Sequence, residues 1–162
     1  MEKCTNPQHH CSPVNQLCHE HAMAKIEKIS YQRNIRLTSQ RRSVIQLMLK
    51  AERAMSAYDL LDQLREIEPQ AKPPTIYRAL DFLMEQGFIH KVESMNSYII
   101  CPHFDDPSHI SILLICNRCQ QIIEEHCSSI ENELQILAKE NTFKVQHSVL
   151  EIRGVCQKCQ CI

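Results

Sequence analysis

Glycine is almost missing from this chain. Only Gly87 and Gly154 occur among its 162 residues. That scarcity argues against folds needing many left-handed backbone positions, such as arrays of tight hairpins or phosphate-cradling loops. There is no tryptophan, and aromatics make up 5% of the chain. No apolar run approaches the ~20 residues that cross a bilayer; the longest uncharged one is Ile110 to Cys116. Residues 1 to 21 contain no apolar h-region, so they do not read as a secretory signal. What the chain has in excess is cysteine, ten residues, and histidine, nine. Without an export route, that many thiols point to metal ligation in a reducing cytoplasm before disulfides.

The length fits one domain or two small ones, and 43% hydrophobic with 23% charged residues suffices for a core. The net charge of −1 conceals an asymmetry. Residues 22–100 carry net +3, residues 101–162 net −3, and residues 1–21 net −1. A basic front on an acidic back fits a nucleic-acid module joined to a second unit. The expected division is a Cys/His-rich polar tail over 1–21, a front unit over 22–100 and a back unit over 101–162.

Periodicity fills in the front. Ala22, Ile26 and Ile29 mark a short amphipathic helix running toward Arg33. Thr38 is a plausible N-cap for a second helix, with Val44, Ile45, Met48 and Leu49 as its stripe. Ser56 and Asp59 form a capping box opening a third, whose stripe is Leu60, Leu61, Leu64 and Ile67. Pro69 ends it. Pro73 and Pro74 suit the first turn of a fourth, where a missing N–H costs nothing, and Gly87 suits its C-terminal cap. Two strands follow, Phe88 to Glu93 and Ser97 to Cys101, around a turn at Ser94, Met95 and Asn96. Helices, the last of them exposed, and then a β-hairpin give the order of a winged helix-turn-helix.

Beyond Cys101 the pattern is strand, strand, helix, strand, a small α+β unit. Ile110 to Cys116 and Gln121 to Glu125 are the first two strands. Ser128 and Glu131 suggest a second capping box, before a helix with Ile130, Leu134 and Leu137 inward and Asn141 at its end. Phe143 to Arg153 reads as one long strand, with Phe143, Val145, His147, Val149 and Glu151 on one face. So modest a core gains from a metal or a partner subunit.

Cys116 and Cys119, then Cys156 and Cys159, are two C-x2-C knuckles. Each presents two thiolates to a tetrahedral ion, the pattern of structural zinc. A redox C-x-x-C would sit at a helix N-terminus beside a βαβ unit; here Cys119 leads into a strand instead. Cys101, His103, His109 and Glu124, with His90 upstream, form a second set whose mixed donors also suit zinc, although their spacing alone does not select the ligands.

LTSQRRSVIQLML, SAYDLLDQLRE, AKPPTIYRALDFLMEQGFIHKVES and CNRCQQIIEE together resemble the ferric uptake regulator superfamily, in particular its zinc uptake regulator branch. The resemblance covers Asn34 to Gly154. It implies an α+β chain with an N-terminal winged helix and a C-terminal α+β dimerisation domain. It also implies a homodimeric, metal-dependent repressor that binds palindromic operator DNA and represses zinc-uptake genes, and no enzymatic activity. Carried residue by residue, it makes Cys116, Cys119, Cys156 and Cys159 the structural zinc ligands. It makes His90, Cys101, His109 and Glu124 the regulatory ones, for two zinc ions per chain. His103 is thereby demoted. Glu125 is the rival of Glu124, and strand alternation lets only one of them face the metal.

On the DNA side, Thr75, Tyr77 and Arg78 belong to the first turns of the fourth helix, and Tyr58 caps the helix before it. Arg78 is the candidate for guanine; Arg41, Arg42, Lys72 and Lys91 are candidates for phosphates. Asp62 and Arg65 fit an intrahelical pair. The alternatives are an iron, manganese or peroxide sensor of the same family, or a cytosolic zinc-storage or thiol-redox protein. Cys4, Cys11, Cys18, His9, His10, His19 and His21 would serve either as an extra zinc site or as an oxidisable arm. His147 is a possible ancillary ligand, and Cys127 and Cys161 receive no role.

Overall fold

The computed structural model describes residues 16–51, 53–106, 109–145 and 148–160, and side chains from His19 onward. Cys4, His9, His10, Cys11, the Cys18 side chain, His147 and Cys161 lie outside the described residues.

Four helices open the fold: α1 (Gln16–Gln32), α2 (Ser39–Ala51), α3 (Ala57–Ile67) and α4 (Pro73–Glu85). α1 begins inside the stretch expected to be a polar tail, and it buries Met23 and Ile26 against α2. Its end is a Schellman cap. Asn34 takes φ 54°, and the Ile35 N–H donates to the Ser30 carbonyl at 2.8 Å. α3 carries the expected box, with the Ser56 hydroxyl accepting from Asp59 N–H and the Asp59 carboxylate accepting from Ser56 N–H. Tyr58 does not cap this helix; that role is Ser56's, and Tyr58 follows in the first turn. α4 has prolines at its first two positions and ends at Gly87, φ 73°.

The apolar faces of these helices meet in one core built on Ile45, Leu60, Leu64, Ile76, Leu80 and Leu83. β1 (Ile89–Val92) and β2 (Ser97–Ile100) pair antiparallel and cover it with Phe88, Ile89 and Tyr98. Asn96 turns the hairpin in the left-handed region, φ 46°. A lone bridge from Met55 to Tyr98 extends the pairing to the α2–α3 connection.

The second part is a three-stranded sheet in the order β4-β3-β5, from β3 (Ser111–Cys116), β4 (Ile122–Glu125) and β5 (Val149–Gly154). β3 and β4 are antiparallel, β3 and β5 parallel, and α5 (Ser128–Glu140) makes the crossover. α6 (Gln157–Gln160) follows. Three expectations fail here. Cys127, not Ser128, is the N-cap of α5, and no capping side-chain bond forms. Glu131 accepts from the Ile110 N–H at 2.7 Å instead. Ile130 and Leu137 are exposed rather than inward, and the long strand is reduced to β5, with Phe143 69% exposed. Among the described residues, those apolar side chains are left only partly covered.

Among the described residues, several contacts join the parts. Val92 of β1 packs on Leu113 and Ile115 of β3. The Glu151 carboxylate accepts from the N–H groups of Glu93 and Ser94 at 2.6 and 3.2 Å. Arg33 donates to the carbonyls of Gln86, Phe104 and Asp105, tying α1 and α4 to the loop after β2.

Candidate metal centres and nucleic-acid face

The parallel register of β3 and β5 sets Cys116 opposite Gly154. Each strand runs straight into a cysteine knuckle, so pairing the strands pairs the knuckles. Gln120, φ 58°, lets the chain double back after Cys119. The two turns are pinned by Asn117 N–H to the Gly154 carbonyl (2.8 Å), Arg153 Nε to Asn117 Oδ1 (3.0 Å) and Arg118 to the Cys159 carbonyl (2.5 Å). The four Sγ atoms lie within 4.8 Å of one another, with Cys119 and Cys156 at 3.6 Å. A tetrahedron of ~2.3 Å bonds has edges of ~3.8 Å, so the thiols are spaced to share one ion. Backbone N–H groups of Cys119 and then Cys156 pull the Cys116 thiol down to about 6. The hydrogen bond with Cys156, and then burial, push Cys159 up to about 12. One thiolate is thus ready for a cation, while the crowding of further thiolates needs one.

The second set comes from separate elements. His90 is on β1, Cys101 follows β2, His109 leads into β3 and Glu124 is on β4. Their donor atoms also lie within 4.8 Å of one another. Around Glu124 Oε1 stand His90 Nε2 at 3.3 Å, His109 Nε2 at 3.5 Å and Cys101 Sγ at 3.8 Å; Cys101 Sγ to His109 Nε2 is 3.4 Å. These match the ~3.3–3.8 Å edges of a tetrahedron with zinc-length bonds. Glu125, the rival, is exposed on the other face of β4.

The electrostatics favour a cation. Burial, and then the neighbouring Glu124 charge, hold the Cys101 thiol far above its usual range. For Glu124, burial opposes ionisation, but hydrogen bonding from His90, together with Ser111 and the neighbouring imidazoles, outweighs it and the carboxyl sits below its ordinary value. Glu124 Oε2 is buried without a hydrogen-bond partner. A thiol, two imidazoles and a carboxylate, with an orphaned oxygen among them, make a donor set that fits zinc.

Sequence reasoning missed the groups supporting this set. The buried Ser111 hydroxyl bridges His90 Nε2 (2.8 Å) and His109 Nε2 (2.9 Å). His109 Nδ1 bonds the Asp106 carbonyl, which fixes the ring. A serine opening an otherwise apolar strand was the available signal. His103 remains beside the set, its Nδ1 at 4.0 Å from Glu124 Oε1.

The α4 face gathers Lys72, Tyr77 and Arg78, all exposed, with Thr75 half-buried at the first turn; Tyr58 on α3 is 68% exposed. Arg41 and Arg42 also make contacts within the protein. Arg41 stacks on Phe82 and donates to the Arg36 carbonyl, and Arg42 pairs with Glu27. Lys91 pairs with Glu93 at 2.7 Å, and Asp62 with Arg65 at 3.6 Å.

Residues 32–153 match the family described as the Ferric uptake regulator family. The chain is 55% identical over 137 residues to the "Zinc uptake regulation protein" of Escherichia coli (strain K12), covering 85% of this chain and 80% of that one. It is similar to a structure titled "Zinc Uptake Regulator Complexed With Zinc AND DNA" (53% identity, TM-score 0.82, 88% and 95% of the two chains). It also matches XcZur at 38% identity, with TM-score 0.81 to the structure titled holo (89% and 99% covered) and 0.52 to the one titled apo (88% and 97%).

Proposed function

The chain belongs to the ferric uptake regulator family, and from that premise we propose that it is a zinc-sensing transcriptional repressor. Its zinc-loaded homodimer binds palindromic operator DNA and represses zinc-uptake genes in the cytoplasm. The observation that carries this is the convergence of His90, Cys101, His109 and Glu124 from four elements onto one point. His90 rides on the hairpin that covers the helical core, while Glu124 belongs to the β4-β3-β5 sheet. A ligand set drawn from both parts is complete only when they hold one relative orientation. In a dimer that orientation sets the separation of the two α4 helices, and a duplex accepts them ~34 Å apart or at multiples of that. Zinc, when bound, supplies the charge that offsets Glu124 and a Cys101 thiolate. Ligand binding then becomes DNA affinity by favouring the closed form. The likeness to the holo over the apo form of XcZur supports this reading.

Residues 22–100 serve as the DNA-binding domain and 101–162 as the dimerisation domain. The exposed apolar residues Ile123, Ile136, Leu137 and Ile152 supply a face for a second copy. We assign two zinc ions per chain. One is structural, on Cys116, Cys119, Cys156 and Cys159; the other is regulatory, on His90, Cys101, His109 and Glu124. Tyr58, Thr75, Tyr77, Arg78, Arg41, Arg42 and Lys72 are the DNA contacts, with Arg78 reading a base. The test is binding to a palindromic duplex against buffered free zinc, with metal analysis in parallel. A rise in affinity that coincides with uptake of the second zinc is expected. DNA affinity independent of zinc would refute the proposal.

A further inference from the structure

The donor set around Glu124 is nearly sealed. The side chains of His90, His109 and Glu124 are 12%, 2% and 5% exposed, and Cys101 is fully buried. A hydrated ion cannot reach such a site without exchanging its water for other donors along the way. Two sides of the set face outward: His90 and His109 line a cavity of about 360 Å³ beside α5, and His103 lies between the set and solvent on another side. It is 38% exposed, yet its Nδ1 is buried, lacks a hydrogen-bond partner, and stands 4.0 Å from Glu124 Oε1. Its backbone N–H donates to Cys101 Sγ at 3.3 Å, which fixes where the loop presents the ring.

The ring is one step of a series. His90 and His109, two members of the donor set, have centroids 5.4 Å apart. His109 to His103 is 5.6 Å, and His103 to His126 is 6.1 Å. Each gap is thus close to the one between two imidazoles already placed to share an ion. His126, 35% exposed, is oriented by Glu131, whose carboxylate lies 3.4 Å from Nε2. Glu131 is held in turn by the Ile110 N–H. That is the carboxylate–histidine arrangement found behind metal-ligating imidazoles.

We propose that His103, with His126 outside it, is a relay ligand that passes zinc between solvent and the buried site. The ion binds His126 and His103, losing a water for each imidazole gained. It then moves onto Glu124 and His109 as first His126 and then His103 let go. Release runs the same steps backward. This rests on the regulatory-site reading above. A relay lowers the barrier in both directions, so it speeds exchange without altering affinity.

The test uses the full-length, zinc-loaded protein. Zinc release to a chromophoric chelator and zinc uptake by the protein loaded only at its slow site are both timed, and affinity is measured by competition. His103→Ala is expected to slow uptake and release together by ~10-fold, the scale of effect carried by outer partners of metal sites, with affinity unchanged. His126→Ala should slow both less. Free imidazole should restore the His103→Ala rates, because a soluble donor can stand in for the missing ring. A His103→Ala protein with parental rates would overturn the proposal. So would one in which only release changed and affinity moved with it, since that marks a permanent ligand or a positioning residue. His109→Ala must abolish the exchangeable zinc. If it does not, the regulatory-site assignment itself has failed, and the relay with it.

Discussion

The two cysteine-containing clusters interleave in sequence and are built on opposite principles. The Cys116, Cys119, Cys156 and Cys159 set is uniform in chemistry, carried by the ends of two adjacent strands, and cross-pinned by backbone bonds. It constrains only its own surroundings. The His90, Cys101, His109 and Glu124 set is mixed in chemistry, more deeply buried, and spread over elements with separate cores. The first can hold a fold and the second can report on an arrangement. What separates scaffold from switch is which bodies the ligands join.

The strongest test of that contrast removes a thiolate from the first set. Structural zinc is worth ~10–16 kcal/mol of apparent binding energy in small domains, and there it is folding energy. Cys116→Ser or Cys156→Ser should therefore lose one zinc per chain, lower the thermal midpoint and weaken the dimer. Denaturation, metal analysis and mass in solution check this; an unaltered midpoint and dimer mass would contradict it. Cys101→Ser should act oppositely, leaving a folded protein with its structural zinc but without the zinc-dependent step in DNA affinity. Moving a binding-competent population from 1% to 99% takes ~5.5 kcal/mol, and losing the thiolate removes much of that. Operator binding against free zinc reads the result, and switching at the parental zinc level would refute the assignment.

Arg78→Ala sharpens the contrast from a third place, since it should touch neither cluster. A cost of ~1–3 kcal/mol in specific binding is expected, with fold and zinc content intact. Equal weakening on every sequence would demote Arg78 to a phosphate contact. The smallest effect belongs to Ser56→Ala, ~1 kcal/mol of stability with no change in metal content. It also carries a pH signature. The Ser56 hydroxyl, ahead of its N–H, holds Asp59 below the ordinary carboxylate value. A depressed carboxyl stabilises the fold above its unfolded pKa and loses that contribution as pH falls through the folded one. The variant should therefore lose less stability on acidification than the parent, as thermal midpoints measured across the acid range would show.

Local rules made much of the molecule readable. The Ser56–Asp59 box, the paired prolines of α4 and the cap at Gly87 each depend on residues within one turn, and each formed. The knuckles were legible because each needs only four consecutive positions. What failed depended on distant partners. Ser128 and Glu131 had the right spacing for a cap, but the N–H of Ile110 claimed the carboxylate. The strand expected from Phe143 had alternation enough, yet residues 143–145 join no strand. The mixed donor set spans 35 positions from His90 to Glu124. No spacing rule selects it, and Glu151 and the Arg33 clamp, which act across long separations, went unnoticed for the same reason.

The parallel pairing of β3 with β5 also puts a clock into assembly. The β3–β4 hairpin brings Cys116 and Cys119 together through a short loop and can form early. The partner knuckle arrives only after α5 has crossed over and β5 has zipped along β3, a late event because loop closure must precede the contacts that reward it. Until then two thiols would be organised and two still searching. An ion captured by the first pair shortens the search for the second. Zinc present at synthesis would then act as a folding accelerator, before any of it serves as a signal.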